Sequence, residues 1–296
     1  MKRIILVAIM LVVAAEVILR LAGFADYALY RIDSDYEYIY IANQDVKRFG
    51  KKLVTNSYSM RSDEPNPKTK SKVLGLGDSI INGGQPTDHD DLATTILQNK
   101  LSNEFNETVE VLNISAGSWE TDNVMAYVNK HGHFGAKVAF WVVSSHDLRI
   151  NMTFLPVVGR LKSYPNKTPN SALWGLIDRY IIGEKYNIYT EKELIEHKTN
   201  KSTEINSGIN ELINYCKLND IRLIAYLHPE KSELEKGAYK ENGVEWIRIF
   251  EANNLTYVNG MNVGKSEEYR DKIHLNEKGQ FRLAETLFPY IVAALK

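Results

Sequence analysis

The chain has a single cysteine, Cys216, so no disulfide can form within it. Cys216 sits in "LINYCKLND", at an apolar position of a helix-like pattern, and reads as inert core. One thiol therefore leaves the redox compartment open. An excess charge of either sign is also missing: 36 Lys and Arg stand against 37 Asp and Glu, a formal net charge of −1. No long basic run occurs, so nothing electrostatic argues for nucleic acid as a partner. Internal repeats and low-complexity tracts are absent, which excludes solenoid and linker-like architectures. Phe is outnumbered by Tyr, 9 to 17, so many rings carry a polar handle suited to wet surfaces. What remains is ordinary globular composition, 44% hydrophobic and 25% charged in 296 residues, enough for one large domain or two small ones.

The exception to ordinary composition is the first 25 residues, "MKRIILVAIMLVVAAEVILRLAGFA". Lys2 and Arg3 precede an apolar run. Glu16 and Arg20 lie four apart, so they can pair on one helix face. From Ile4 to Ala25 a helix would span roughly 33 Å, enough to cross a bilayer core. The basic end marks the cytoplasmic side, which places the body outside the cytoplasm. We read residues 1–25 as an uncleaved signal anchor. The rival is a cleavable signal peptide ending at the small residues of "GFA", which would give a secreted protein.

Residues 26–70 form a tyrosine-rich extension with short strands, closing in a linker, "EPNPKTKSK". The tyrosines between 27 and 40 read as packing and membrane-interface residues, with a sugar-binding platform as the alternative. From residue 71 strands alternate with helices. The strands are "KVLGLGDS", "TVEVLNISAGS", "AKVAFWVVSS", "IRLIAYLHP" and "LTYVNG". Helical spacing marks "DDLATTILQNKLSNEF", "ETDNVMAYVNKHG", "STEINSGINELINYCKLND", "GVEWIRIFEANN" and "LNEKGQFRLAETLFPYIVAALK". This alternation predicts an α/β fold with a five-stranded parallel sheet covered on both faces. Residues 150–200 break the rhythm and read as an insertion over the carboxyl edge of the sheet.

Ligands of open parallel sheets bind outside the carboxyl ends of the strands. Polar clusters fall there: Asp78 and Ser79, Asn113 to Ser118, Ser144 to Asp147, and His228. Asp271 and His274 precede the last helix. A serine, a histidine and a carboxylate are the minimum for acyl transfer, with backbone amides to meet the oxyanion. His89, His131, His133 and His197 read as solvated, and His131-X-His133 is too sparse to suggest a metal.

"GLGDSI", "NISAG" and "DKIHLNEKG" resemble three of the four sequence blocks of the SGNH hydrolases, the GDSL esterase/lipase family, in the family's order. With the anchor and "YEYIYIANQ…VTNSYSMRSDE", the chain is similar to membrane-anchored SGNH proteins associated with bacterial exopolysaccharide or capsule. The resemblance implies a flavodoxin-like three-layer α/β/α domain over residues 71–296. It implies Ser79 as nucleophile, His274 as base and Asp271 as its orienter, with no metal or organic cofactor. The oxyanion hole would use the amides of Ser79 and Gly117. The family's Gly-X-Asn-Asp appears here as "SSHD", which puts His146 in the place of the donor asparagine. The implied function is a serine esterase or O-acyltransferase acting on O-acyl, chiefly O-acetyl, groups of an envelope or secreted polysaccharide. Rivals are a periplasmic lipase or thioesterase, and a catalytically weak scaffold that binds glycan or an assembly partner.

Overall fold

The structure is a computed structural model and describes residues 1–178 and 203–296. The second part of the expected insertion, with His197, lies outside the described residues. The chain opens with α1 (Lys2–Leu21), none of whose residues is buried. At about 30 Å it is long enough to cross a bilayer core. It stops four residues short of Ala25 because Gly23 takes a φ of +82° and turns the chain.

Two antiparallel hairpins follow. The first pairs β1 (Tyr30–Asp33) with β2 (Glu37–Tyr40), the second β3 (Asp45–Arg48) with β4 (Lys51–Val54). The alternating region then runs β5 (Ser71–Gly77), α2 (Ser79–Asn82), α3 (Ala93–Phe105), β6 (Val109–Ser115), α4 (Thr121–His131) and β7 (Val138–Ser144). It continues with α5 (Ala172–Ile177), α6 (Gly208–Leu218), β8 (Arg222–His228), α7 (Lys231–Lys236), α8 (Glu241–Ala252), β9 (Thr256–Asn259) and α9 (Glu277–Leu295).

Strands β5 to β9 form one parallel sheet in the order β6-β5-β7-β8-β9. This is the doubly wound, flavodoxin-like order. Every residue of β6 and β7 is buried, as expected of strands covered on both faces. Their side chains divide by alternation. Val138, Phe140 and Val142 join the core under α3 and α9. Ala139, Trp141 and Val143 join the core under α4, α6 and α8. Tyr36, Tyr38, Ile39, Tyr40 and Leu53 of the hairpins belong to that second core, so the extension packs onto the domain.

Gly75 shows why the first strand needs glycine. A Cβ there would lie 2.7 Å from the Phe140 ring and 3.0 Å from Thr94. Its absence lets α3 and β7 close on β5. The order reverses at β5, with β6 on one side and β7 on the other, so a crevice opens beyond its carboxyl end. The chain leaves β5 there as Asp78-Ser79.

The last turns of α1 dock on the body. The Glu16 carboxylate accepts the Ala172 and Leu173 N–H groups, both at 2.9 Å, and the Ser171 hydroxyl at 2.8 Å. Arg20 pairs with Glu16 at 2.7 Å and donates to the Asn170 carbonyl at 2.6 Å. Thus α1 supplies the acceptor that the first N–H groups of α5 lack.

Candidate active site

Asp78 caps α2, its carboxylate accepting the Ile80 N–H at 2.8 Å. Ser79 is therefore the first helical residue, half-buried, with its hydroxyl facing the crevice. Beneath it Asn113 anchors the turn, donating to the Ile81 carbonyl at 2.9 Å and to Thr94 at 3.1 Å. The asparagine of "NISAG" thus holds α2 in place.

The segment from Tyr269 to Leu275 arrives from the other end of the chain. It closes on itself through the Arg270 N–H and His274 carbonyl, at 3.0 Å. Asp271 Oδ1 accepts the N–H groups of Ile273 and His274 at 2.9 and 2.8 Å. Its Oδ2 lies 2.7 Å from His274 Nδ1, and His274 Nε2 lies 2.9 Å from Ser79 Oγ. The fold so brings Ser79, His274 and Asp271 into one chain of hydrogen bonds across 195 residues. Partial burial opposes ionisation of Asp271. The Ile273 and His274 N–H groups outweigh it and, with the His274 ring, hold the carboxyl below its usual range. Asp271 therefore stays an anion that can fix the imidazole tautomer.

His228 supports this segment from below. Its Nε2 donates to the Ile273 carbonyl at 2.8 Å, and its ring stacks on Tyr269 at 5.3 Å. Burial pushes its pKa down to about 4, so it stays neutral and structural. It does not line the cleft.

The cleft above Ser79 and His274 has a volume of about 620 Å³. Gly117 lines it, and a Cβ there would point toward the hydroxyls of Tyr164 and Tyr30 at 3.7 and 3.8 Å. Tyr38 and Tyr164 donate to the Gly117 carbonyl at 2.9 and 3.2 Å, which fixes that turn. The N–H groups of Ser79 and Gly117 meet no acceptor among the described residues.

His146 departs from the expected arrangement. It does not line the cleft. Its Nδ1 lies 2.8 Å from Ser144 Oγ and its Nε2 2.9 Å from Asp147 Oδ1. The ring thus lies against Ser144 and Asp147 rather than among the described residues that line the cleft. Burial disfavours the charged ring, but the Asp147 carboxylate prevails and raises its pKa to about 9. The charged ring then donates from Nδ1 to Ser144 Oγ, which passes its own proton toward Asp147 Oδ2 at 3.0 Å, while Nε2 and Asp147 Oδ1 form an ion pair without a hydrogen bond. Burial and the nearby Asp147 charge hold the Asp78 carboxyl well above the usual range.

Asp78, His146 and Asp147 each bring one possible metal-ligand atom within 4.8 Å of the others. The void beside Asp78 and Asp147 is about 10 Å³, barely one water. His146 Nδ1 is bonded to Ser144 and Nε2 is ion-paired to Asp147. The set is accounted for as an ion-pair cluster without a metal.

A stability consequence follows. The folded pKa of His146, about 9, exceeds its ordinary 6.5. Its contribution is thus complete below pH 6.5 and lost as pH rises toward 9. Thermal melts of the wild type and His146→Gln should differ most near pH 6 and converge toward pH 9. A gap independent of pH would mean a neutral ring.

The other histidines correct the sequence reading. His89 is buried, and burial lowers its pKa. His131 and His133 are half-buried, each beside a tyrosine hydroxyl, Tyr36 at 3.3 Å and Tyr215 at 3.1 Å. Sequence reasoning also missed much of the cleft wall. Tyr27, Tyr30, Tyr40, Arg48 and Lys51 come from the extension, Tyr164 from the insertion, and Arg270 from beside the Asp271 segment. Only Arg270 has a nearby signal, its adjacency to Asp271.

No family model matches the chain, and no curated protein matches it. Among solved structures, it is similar to the psychrotrophic esterase EstA from Pseudoalteromonas sp., at 12% identity and TM-score 0.46 over 76% of this chain and 98% of that one. A lipase/acylhydrolase from Enterococcus faecalis aligns at 13% identity and TM-score 0.46, over 76% and 97% of the two chains. A two-domain esterase active on acetylated mannans aligns at 12% identity and TM-score 0.44, over 76% of this chain and 50% of that one. Likeness at this level says nothing about substrate.

Proposed function

We propose that the protein is a membrane-anchored serine esterase that removes O-acyl groups, most simply O-acetyl, from carbohydrate. One observation carries the reading: Ser79 Oγ, His274 and Asp271 are hydrogen-bonded in series at the floor of a cleft roomy enough for a sugar ester. Ser79 Oγ attacks the ester carbonyl while His274 Nε2 takes its proton. The amides of Ser79 and Gly117 meet the tetrahedral oxygen. Collapse expels the sugar hydroxyl, which receives the proton from His274, and leaves an acyl-serine. Water, deprotonated by His274, then releases the acid and restores Ser79.

Two features bear on substrate and acceptor. Tyr27, Tyr30, Tyr40 and Tyr164 line the cleft with Arg and Lys. Such a lining, rings with polar tips beside cationic groups, suits a polar ring and supports a sugar ester over a lipid. The Asp271 side chain is 48% exposed, so solvent meets the outer edge of the triad, which supports water as the acceptor in this reading. A serine-directed phosphonate should label Ser79, detected as a mass shift on its peptide. No labelling from neutral to mildly alkaline pH would leave only the scaffold reading.

The anchor reading draws support from the docking of Glu16 and Arg20 on residues 170–173. A discarded signal peptide has no use for tertiary contacts with the mature body. Lys2 and Arg3 would then face the cytoplasm, with the cleft outside it. Mass spectrometry of membrane-extracted protein should find residues 2–25 intact. A mature N-terminus at Asp26 would overturn this.

A further inference from the structure

We propose that the cleft selects acidic carbohydrate, an acylated sugar carrying a carboxylate within reach of Arg48. The inference rests on the esterase reading and narrows its substrate class. Among the described residues, four basic ones line the cleft, Arg48, Lys51, Lys162 and Arg270, and no Asp or Glu does. In a chain whose charges nearly cancel, that local imbalance is a property of the site.

The bases differ in how far they are already compensated. Lys51 is neutralised by Glu277 at 2.8 Å and Asp91 at 3.6 Å. Arg48 has no ion-pair partner among the described residues. Its guanidinium lies 3.9 Å from the Tyr27 ring centroid and 4.8 Å from that of Phe49. Its one side-chain hydrogen bond, to Gln85 at 3.2 Å, uses a single Nη1 proton. Among the described residues Arg270 donates only to neutral groups, the Gly83 carbonyl and Thr87 Oγ1. Its neighbour Asp271 is turned to His274 and two backbone N–H groups. Behind the wall Arg61, 1% exposed, adds a third guanidinium, bonded among the described residues only to carbonyls.

Arginines held by aromatic faces and neutral acceptors keep their charge unspent. In a partly desolvated cleft such a charge attracts an anion more strongly than in water. The planar guanidinium fork, already ordered by stacking, matches a carboxylate in two parallel hydrogen bonds. The tyrosines beside it supply faces for a pyranose ring. Together these fit a uronate better than a neutral hexose.

The test compares the full-length enzyme on O-acetylated oligouronate and on an O-acetylated neutral oligosaccharide of equal length. At low ionic strength kcat/KM should favour the uronate at least tenfold, with the ratio falling as salt rises. Arg48→Gln should collapse the ratio, and Arg48→Lys should restore part of it. Equal kcat/KM on the two substrates, or an unchanged ratio in Arg48→Gln, would overturn the inference. If neither substrate is cleaved, the esterase reading fails and binding decides the charge inference separately. Ser79→Ala should then bind the acetylated oligouronate at least tenfold more tightly than the neutral one by calorimetry, and adding Arg48→Gln should abolish the difference. Equal binding would sink it.

Discussion

Ser79→Ala should lower esterase turnover by about 10⁴- to 10⁶-fold while leaving the fold intact. The magnitude follows from the hydroxyl's role: without it no acyl-enzyme forms, and only binding and the backbone donors remain. The fold should tolerate the change. Ser79 Oγ bonds His274 at 2.9 Å and lies 3.5 Å from Asp78, and no backbone group depends on it. His274→Ala should fall in the same range, and the double variant should be scarcely worse than either, because the two act as one unit. Aryl acetate hydrolysis with matched thermal melts checks this. A Ser79→Ala variant that keeps more than about a tenth of wild-type turnover would rule out the serine mechanism.

Why some of this was legible in the sequence, and some was not, is a matter of range. Strands β5 to β8 are readable because burial on both faces favours apolar runs, as in Val138 to Val143. The pairing of Asp271 with His274 is local, three residues apart, and a turn decides it. The meeting of Ser79 with His274 is not local. It depends on β5 lying where the sheet order reverses and on α9 returning beside α3, which follows from the fold class. The cleft wall has no such support. Nothing about Arg48 or Tyr164 in the linear sequence says that they face Ser79, because hairpins and insertion are placed by tertiary packing alone. The tyrosines read as packing residues do pack, but Tyr27, Tyr30 and Tyr40 also line the cleft. His146 shows the limit of motif logic. Its position in "SSHD" suggests a donor to the oxyanion, whereas the ring lies against Ser144 and Asp147, outside the described lining of the cleft.

Loss of Arg61 should cost the fold heavily. The residue lies between the hairpins and β5, in "SYSMRSDE", and is 1% exposed. Its Nη1 donates to the carbonyls of Asn82 at 2.6 Å and Gly84 at 2.8 Å, and its Nη2 to that of Thr87 at 3.1 Å. These carbonyls belong to the turn that leaves α2. Arg270, from the Asp271 segment, grips the same turn at Gly83 and Thr87. Two guanidinium groups, one from each end of the chain, therefore clamp the backbone just beyond Ser79. Burial lowers the Arg61 pKa only to about 10, so the group is charged at neutral pH. Arg61→Met keeps the length of the stem but strands three carbonyls, at about 1–3 kcal/mol each where they stay dry. Allowing for relaxation and entering water, the expected destabilisation is about 3–6 kcal/mol. That is a large share of the 5–15 kcal/mol typical of a folded domain. Urea denaturation should show a lower midpoint, and the surviving folded fraction should turn over more slowly because Ser79 is less firmly placed. Arg61→Lys, which can serve one or two of the carbonyls, should recover part of both. A loss below about 1 kcal/mol for Arg61→Met would mean that Arg270 alone holds the turn, with Arg61 merely accommodated beside it.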